Sequence, residues 1–600
     1  MGVPAWIRGP LLILGVLVPL TVVVFERQLF EGWTFPWDFL GPYSTTPAFV
    51  AATIGHGHPL AWSPYVASGF PVDVSPQAGV YYPLWWLLGA VRVPLTLQAL
   101  TTVQIAHVTF GAIGVLLLAR ARRLGWPWAM AAATAYLFFG GFYGQAEHSD
   151  AIRGFAYVPW LLWALTPPPR GERWTRLAAL PPLAWLIAAG AYPGQLVAFG
   201  ICGLVYLVVA LRLAGDEAWR RHRTAVSLAV AAAAAGAIAV VLPYVRAEQA
   251  GELYRAAPPT ASVRSDSSLR PLDVLGLYLN NFAWKYEGTI TAWAVGIPIL
   301  IGLACVRAPT LRRHAPLVAS GAVGLALAMT PAIGPVGRAM ASVGPLFPSR
   351  FPASDYKAFA AVTLIVLGAE GWSRIGQAPR RAWPAVLAGA LVVIGALLAP
   401  STYAQPTRAL WLVMTVTVAA VALALLRPPA ILLATALVAL VMIDGTRETA
   451  DYRHALGVSP WRIPPSQVAF YRARDANVHD LPARLAQAPA ERPGRVPANL
   501  PIAQFSTGTA PDASGWVADA YHLTDYGSTV ERVRWQAEHD PVWSAMLLAP
   551  WQSHIFGCAA GLFHYFEGVE TICRCSNRER FGNRVWFHGL EEIQACLLGR

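Results

Sequence analysis

The segment Pro10-Leu-Leu-Ile-Leu-Gly-Val-Leu-Val-Pro-Leu-Thr-Val-Val-Val-Phe25 is an unbroken apolar run close to the first residue of the sequence. Roughly 20 apolar residues are needed for one helix to cross about 30 Å of hydrocarbon, and this run approaches that length. A secretory signal would end in small residues at a cleavage site, but Glu26, Arg27 and Gln28 follow here. The run therefore predicts a retained first transmembrane helix.

The same apolar character extends through most of the 600 residues, of which 56% are hydrophobic and 13% charged, with a mean hydropathy of +0.45. Such a composition is typical of a chain that lies mostly in lipid. Further apolar runs lie at 96–119, 126–144, 155–166, 177–192, 195–213, 224–243, 291–306, 315–332, 356–372, 383–399, 409–426 and 429–444. The sequence predicts an all-α polytopic membrane protein with about thirteen transmembrane helices.

Arginines mark every second loop between these runs, and cytoplasmic loops accumulate such residues. The net charge of +12 is spread over these short clusters rather than along one polar face, which argues against nucleic acid as a partner. With Arg8 on the inside, an odd number of helices places the residues after about 446 outside. We expect a bacterial inner-membrane protein with a cytoplasmic N-terminus. The arginine series is Arg120, Arg122, Arg123; Arg170, Arg173, Arg176; Arg212, Arg220, Arg221, Arg223; Arg307, Arg312, Arg313; Arg374, Arg380, Arg381; and Arg427.

This topology predicts two domains. Residues 1–445 form the transmembrane domain, with long outer loops at 29–95, 244–290 and 333–355, and residues 446–600 form a small α+β domain on the periplasmic or extracellular side. Alternation in Arg584-Val-Trp-Phe587 is typical of a strand. Two disulfides fit the four cysteines of this domain better than a zinc site does, because Cys573 and Cys575 are separated by a single residue.

The first outer loop carries one acid, Asp38, among the aromatic residues of Trp33-Thr-Phe-Pro-Trp-Asp-Phe39. Aromatic residues favour the lipid headgroup level, so we expect Asp38 at the outer membrane face. Tyr43 follows. Thr45-Thr46-Pro47 predicts the start of a short helix over 48–54 that ends at Gly55, with His56 and His58 directly after it. The alternatives are a helix-capping or Arg27-paired role for Asp38 and a surface role for the histidines.

A carboxylate at this position suits glycosyl transfer from a lipid-linked donor. A base near the acceptor hydroxyl raises its nucleophilicity, and the transition state is oxocarbenium-like. Because the leaving group is a phosphate, cationic side chains replace the acid that glycoside hydrolases use. We therefore assign Asp38, Glu147 and His148 as candidate catalytic residues and look for cations nearby.

The second outer loop holds four ionisable residues in a tight hairpin: Glu147, His148, Asp150 and Arg153. If this segment is helical, Glu147 and Asp150 share a face, and Asp150 can pair with Arg153 three residues later. The density favours a substrate-binding role for Asp150 and Arg153. The alternative is a salt-bridged hairpin that satisfies itself.

Lysine occurs only twice in the chain, as Lys285 and Lys357, and both fall in predicted outer loops. Arg350 precedes Lys357, at the start of a span whose N-terminal end favours an anion. These three residues are candidate phosphate ligands, with Tyr43, His56 and His58 as further substrate contacts. The alternatives are anchoring to lipid headgroups and an internal pair between Asp355 and Lys357.

Several segments, in this order, resemble the YfhO family of bacterial membrane proteins, which belongs with the GT-C glycosyltransferases. The resemblance implies a GT-C-like enzyme that uses a polyprenyl-phosphate-linked sugar, with an essential first-loop acid at Asp38. The acceptor would be an envelope polysaccharide, a teichoic-acid-like polymer, a lipid or a protein. The segments are Trp37-Asp38, Pro59-Leu-Ala-Trp-Ser-Pro-Tyr-Val-Ala-Ser-Gly-Phe-Pro71, Glu147-His-Ser-Asp-Ala-Ile-Arg-Gly-Phe-Ala-Tyr-Val-Pro-Trp160, Gly190-Ala-Tyr-Pro-Gly-Gln195, Pro348-Ser-Arg-Phe-Pro352 and, more loosely, Asp525-Tyr-Gly527 and Asn583-Arg-Val-Trp586.

This sequence departs from many GT-C enzymes because its first outer loop has no paired-acid motif, so we predict no bound metal and no cofactor. Two other functions remain open. A transporter or flippase of lipid-linked intermediates would carry charges deep in its helices and interrupted spans in two matching halves. A non-catalytic membrane protein of envelope assembly would not need Asp38.

Overall fold

The computed structural model describes residues 5–35, 39–40, 42–57, 79–169, 172–249, 253–255, 267–279, 288–329, 351–375, 383–398, 406–426 and 428–455, with short strands at 529–531, 555–556, 580–581 and 584–586. Within these residues the chain is almost entirely helical. It divides into two compact units. The first comprises Met1–Phe35, Thr101–Ile238 and Pro258–Pro465, and the second Pro36–Leu100, Ala239–Ala257 and Ser466–Arg600.

The first apolar run is helical, as predicted, but its hydrogen-bond ladder changes along its length. An α-helix over Ala5–Leu12 passes into a π-helical turn over Ile13–Leu17 and then into an α-helix over Val18–Val24. Pro19 lies at the start of the third piece and has no N–H to donate, so the regular ladder cannot continue through it. A short helix over Glu26–Phe30 follows.

Most of the remaining helices belong to the first unit and lie where the apolar runs predicted them. The Pro193–Gln249 helix contains a break at Gly215, whose φ of 84° only glycine adopts readily. The helices span Leu97–Ala121, Trp126–Leu137, Gly140–Gly144, Ser149–Ala164, Leu180–Gly190, Pro193–Gln249, Gly288–Thr291, Ile297–Ala304, Ala308–Arg313, Ala315–Met329, Pro352–Ile375, Trp383–Leu398, Pro406–Leu426 and Ala430–Ala455, with 3-10 turns at Thr175–Ala179 and Pro271–Leu277.

The chain is an integral membrane protein, and four of its described helices are long and apolar enough to cross a bilayer: Leu97–Ala121, Pro193–Glu217, Trp219–Arg246 and Pro352–Ile375. Six shorter apolar helices accompany them, at Gly9–Val24, Thr46–Gly55, Ala315–Met329, Trp383–Leu398, Leu410–Leu426 and Ala430–Thr446. The count of about thirteen spans therefore stays a prediction.

The Pro352–Ile375 helix, called the central helix below, is the most enclosed of the four. Of its apolar stretch, 83% is buried inside the protein, against 17% for Trp219–Arg246. It packs mainly against the helices Trp126–Leu137, Ser149–Ala164, Ile297–Ala304 and Ala315–Met329, and also contacts the short helices Gly140–Gly144 and Gly288–Thr291. Because its neighbours are protein rather than lipid, polar side chains along it can find partners.

Two expectations about local structure are corrected. The predicted span at 126–144 is broken after Leu137, and the N–H of Gly140 donates to the Ala294 carbonyl at 2.8 Å where the chain turns. Lys357 does not lie in an outer loop. It is the sixth residue of the central helix, which begins at Pro352, and its side chain is fully buried.

The second unit contains the helices Pro42–Gly55 and Pro83–Ala90, which pack against each other. The first begins earlier than predicted, so Pro47 lies inside it rather than at its start. In this unit, Leu253–Arg255 pairs antiparallel with Thr529–Glu531. A three-stranded antiparallel sheet has Arg584–Trp586, where alternation predicted a strand, between Ile555–Phe556 and Arg580–Phe581. The remaining predictions for 446–600, including the four cysteines, lie outside the described residues.

Candidate functional site

The second outer loop is a tight turn between the Gly140–Gly144 helix and the Ser149–Ala164 helix. His148 is the N-cap residue of the second helix, so Glu147 lies before the helix. The condition under which Glu147 and Asp150 would share a helical face is therefore not met. Glu147 is buried, and its Oε1 lies 3.6 Å from Nδ1 of the more exposed His148.

Arg153 connects this hairpin to the end of another helix. Its buried side chain donates from Nε to the Gly190 carbonyl at 2.5 Å, at the last residue of the Leu180–Gly190 helix. Carbonyls at a helix C-terminus lack intrahelical donors, and a cation there also offsets the helix dipole. Arg153 thus satisfies that helix end.

The Gly190–Gln195 segment is held against the same hairpin by the amide of Gln195. Its Nε2 donates to the Ala151 carbonyl at 3.4 Å, and its Oε1 accepts from the Tyr192 N–H at 3.2 Å. The segment therefore has a fixed position beside the first turn of the Ser149–Ala164 helix.

The first turns of the central helix complete the site. Ser354 donates from Oγ to Gln145 Oε1 at 2.8 Å. The Asp355 carboxylate lies directly against Gly194, where the methyl group of any other residue would overlap it. Both Ser354 and Asp355 are buried. The central helix is thereby joined to the hairpin and to the Gly190–Gln195 segment.

Lys357, near the start of the central helix, is also buried at this site. Its Nζ donates to the Ile290 carbonyl at 2.6 Å and lies 5.2 Å from the centre of the Phe155 ring, a cation–π distance. Asp355 supplies a negative charge close enough to interact with it. The side-chain nitrogen of Lys357 therefore lies among a carbonyl, an aromatic face and a carboxylate.

Three sequence segments thus meet in the first unit and bring together five buried ionisable residues, which we call the charged cluster: Glu147, Asp150, Arg153, Asp355 and Lys357. None is more than 8% exposed. Burying charge is costly unless it is paired, and ionisable groups within membrane proteins are functional candidates for that reason. Among the described residues, no group of three or more His, Cys, Asp or Glu side chains is placed to hold a metal ion.

Sequence reasoning missed two polar neighbours of the cluster, Gln104 and His107 of the Leu97–Ala121 helix. Gln104 donates to the Ala146 carbonyl and accepts from Ser149 Oγ. His107 donates from Nδ1 to the Val103 carbonyl at 2.7 Å. The available signal was two polar residues three apart, hence on one face, within an otherwise apolar span.

The other predicted site residues are not part of this cluster as described. Tyr43 is buried in the Pro42–Gly55 helix of the second unit, and His56 is exposed directly after that helix. Asp38, His58, Lys285 and Arg350 lie outside the described residues.

Comparisons with known proteins give the fold. No family model matches the chain, so the resemblance to the YfhO family is not confirmed, and no curated protein matches it. Among solved structures, the chain resembles ArnT from Cupriavidus metallidurans bound to undecaprenyl phosphate, with a TM-score of 0.50 and 16% identity over 92% of this chain and 93% of ArnT. That likeness supports the predicted helical membrane fold.

Two further structures align with lower scores. Apo ArnT from the same organism has a TM-score of 0.46 and 15% identity over 92% of this chain and 93% of that one. The apo oligosaccharyltransferase from Archaeoglobus fulgidus has a TM-score of 0.39 and 12% identity over 90% of this chain and 68% of that one.

Proposed function

We propose that this chain is a membrane glycosyltransferase that moves a sugar from a polyprenyl-phosphate-linked donor to an envelope acceptor on the outer face of a bacterial inner membrane. The observation that carries the proposal is the charged cluster, whose residues come from two segments distant in sequence within a fold like that of ArnT. The ArnT structure holds undecaprenyl phosphate, which is the chemical class of donor carrier proposed here.

The cations of the cluster support binding of a phosphate leaving group. Arg153 brings a guanidinium group to the hairpin, and Lys357 adds a second basic side chain in a water-poor site. Charge-assisted hydrogen bonds of this kind strengthen as negative charge develops on the departing phosphate. In the proposal, Arg153 and Lys357 stabilise the leaving group.

The acids have a separate role. Glu147 and His148 lie side by side at the hairpin turn, where His148 is the more exposed of the two, and this supports contact with the acceptor or the sugar. Asp38 is proposed as the base that deprotonates the acceptor hydroxyl. Asp150, Tyr43, His56, His58, Lys285 and Arg350 stay candidate substrate contacts.

The length of the central helix supports the proposed side of the membrane. Asp355 lies near its first residue and Arg374 near its last, a separation of about 28 Å at the α-helical rise. That matches the hydrocarbon thickness of a bilayer. Near the Arg374 end, Glu370 contacts Arg313 of an arginine-rich segment predicted to be cytoplasmic, which supports placing the charged cluster at the opposite face.

A transporter or flippase of lipid-linked intermediates is the second candidate. The observation that favours it is the burial of Asp355 and Lys357 within a membrane-spanning helix, since transporters place charges there. Such a protein would move the donor between leaflets without consuming it. Transfer of labelled sugar to an acceptor separates the two functions.

The test uses the purified full chain in liposomes with a panel of radiolabelled polyprenyl-phosphate sugars and a bacterial envelope fraction as acceptor. We expect label to appear in the acceptor and to be lost with Asp38→Asn. Asp216→Asn, an exposed acid in the predicted cytoplasmic part of the Pro193–Gln249 helix, is the matched control and should transfer normally. Normal transfer by folded Asp38→Asn would refute the assignment of the base, and no transfer with any donor would refute the enzyme.

Lys357→Met tests the phosphate role with a substitution close in shape. Losing a charge-assisted hydrogen bond of about 1.5–3 kcal/mol should lower kcat/KM for the donor by about 10- to 150-fold. Glu147→Gln should also reduce transfer, whereas Glu217→Gln, whose side chain is 87% exposed, should not. Gel filtration checks that each variant is folded, and unchanged donor kinetics in folded Lys357→Met would contradict the role of Lys357.

A further inference from the structure

A second group of charged residues lies at the other end of the central helix, and the proposed reaction does not use it. We call it the arginine cluster: Arg122, Arg313, Arg374, Glu370 and His314. Glu370 is buried and accepts from Arg374 at 2.8 Å through Nη2 and at 3.1 Å through Nε. Nη1 of Arg313 lies 3.5 Å from the same carboxylate oxygen. One acid is thus shared by two guanidinium groups.

The third guanidinium, that of Arg122, connects one more segment to this group. Arg122, just after the Leu97–Ala121 helix, donates from Nη2 to the Arg313 carbonyl and from Nε to Nδ1 of His314 at 3.4 Å. The Arg313 carbonyl lies at the end of the Ala308–Arg313 helix. The cluster therefore has a defined geometry, set by helix ends rather than by flexible loops.

His314 does not balance the positive charge of its neighbours. A guanidinium can only donate, so Nδ1 must be the acceptor and the ring proton must lie on Nε2. Within the described part of the chain, Nε2 has no hydrogen-bond partner, and the residue is fully buried. Burial and the charges of Arg122, Arg313 and Arg374 lower the pKa of His314 to about 3, so the ring is neutral at neutral pH.

Three guanidinium groups and one carboxylate leave two positive charges in excess. This excess is accessible, because the Arg313 side chain is 58% exposed and that of Arg374 is 22% exposed. An oxyanion is the ligand that matches such a set of donors, and guanidinium groups fit phosphate in particular.

The position of the cluster indicates a lipid source for that phosphate. It lies about one hydrocarbon thickness from Asp355 along the central helix, which is headgroup depth. The apolar side chain of Leu311, in the short Ala308–Arg313 helix, is 41% exposed beside the arginines. An exposed leucine next to cations is typical of a segment that lies at the membrane interface.

We propose that Arg122, Arg313 and Arg374 bind the phosphate of an anionic phospholipid headgroup in the leaflet opposite to the charged cluster. The binding is independent of the proposed glycosyl transfer. Glu370 and His314 fix the guanidinium groups in place, and the lipid phosphate neutralises their excess charge.

The experiment measures binding to the full chain in a neutral detergent. Dioctanoyl phosphatidylglycerol, dioctanoyl phosphatidylcholine and inorganic phosphate are titrated separately, and the thermal unfolding midpoint and the bound fraction by native mass spectrometry are recorded. We expect phosphatidylglycerol to bind and to raise the thermal unfolding midpoint, and phosphatidylcholine and inorganic phosphate to bind and stabilise the protein less. Arg313→Gln, which removes an exposed side chain, should weaken phosphatidylglycerol binding about fivefold, the effect of one arginine at an anionic surface.

Arg223→Gln is the matched control, since Arg223 is exposed in a predicted cytoplasmic segment outside the cluster, and it should bind as the wild type does. Arg122→Lys keeps the positive charge but loses the forked guanidinium, so this variant should also bind phosphatidylglycerol more weakly. It provides the test if Arg313→Gln does not fold. The proposal would be overturned if the protein bound phosphatidylglycerol and phosphatidylcholine with equal affinity. It would also be overturned if Arg223→Gln weakened phosphatidylglycerol binding as much as Arg313→Gln does. A full response to inorganic phosphate would overturn the lipid as the ligand.

Discussion

Acidification should destabilise the protein through His314, and the size of the effect follows from the pKa of this residue. Unfolded, the ring has an ordinary pKa of about 6.5, whereas in the folded chain burial and three arginines lower the pKa to about 3. Between these values the unfolded state binds a proton that the folded state does not. The contribution of His314 to the free energy of unfolding is therefore fully present above pH 6.5 and is lost as the pH falls toward 3. At pH 5 the loss is about 2 kcal/mol, from 1.36 kcal/mol per pKa unit.

The assay is equilibrium unfolding by SDS titration of the protein in lipid-free neutral micelles at pH 7 and pH 5. His314→Gln removes the titrating ring, so the fall in the free energy of unfolding between the two pH values should shrink by about 2 kcal/mol. His56→Gln changes an exposed histidine and should leave the fall as in the wild type. An equal fall in wild type and His314→Gln would refute the reasoning.

The remaining predictions concern two structural contacts of the first unit. Asp444 is fully buried, and its Oδ2 accepts from the N–H of Ile297, the first residue of the Ile297–Ala304 helix, at 2.6 Å. Asp444→Ala should therefore lower the free energy of unfolding by about 1–3 kcal/mol, and Asp444→Asn, which keeps an oxygen, by clearly less. Equal losses would contradict the role of this hydrogen bond. A methyl group at Gly371 would overlap the Gly302 carbonyl oxygen, so Gly371→Ala should destabilise by about 1–3 kcal/mol. Gly200→Ala, in open space, should be neutral or stabilising by the same measurement, and similar behaviour of the two would show that the helices do not meet as described.

The membrane fold could be predicted from the sequence because the bilayer imposes length and apolarity on each spanning helix. The run at 96–119, for example, corresponds to the Leu97–Ala121 helix within two residues at each end. The start of the central helix was predicted less well. The apolar pattern predicts a start at 356, but the helix begins at Pro352. The difference arises because a helix enclosed by protein can begin with polar residues. The assignment of Lys357 to an outer loop was wrong, although the predicted span at 356–372 already contained this residue.

The site could be predicted only where its residues lie together in the sequence. The hairpin from Glu147 to Arg153 stood out by its local density of charge. Gln104 did not, because its partner Ala146 is 42 residues away and no local pattern contains that contact. Asp355 was noted only as a possible partner of Lys357, since its contact with Gly194 joins two segments distant in sequence.

The packing of the central helix connects these stability predictions to the proposed reaction. Asp355 and Lys357 occupy its first turns, while Gly368 and Gly371 near its other end lie against the backbone of the Ile297–Ala304 helix. Protein cores transmit strain because they are closely packed, so a methyl group at Gly371 must move the helix rather than be absorbed locally. A displacement of about 1 Å at a reacting centre can cost about 100-fold in rate. Gly371→Ala protein that remains folded should therefore transfer sugar more slowly than Gly200→Ala, although neither residue belongs to the charged cluster.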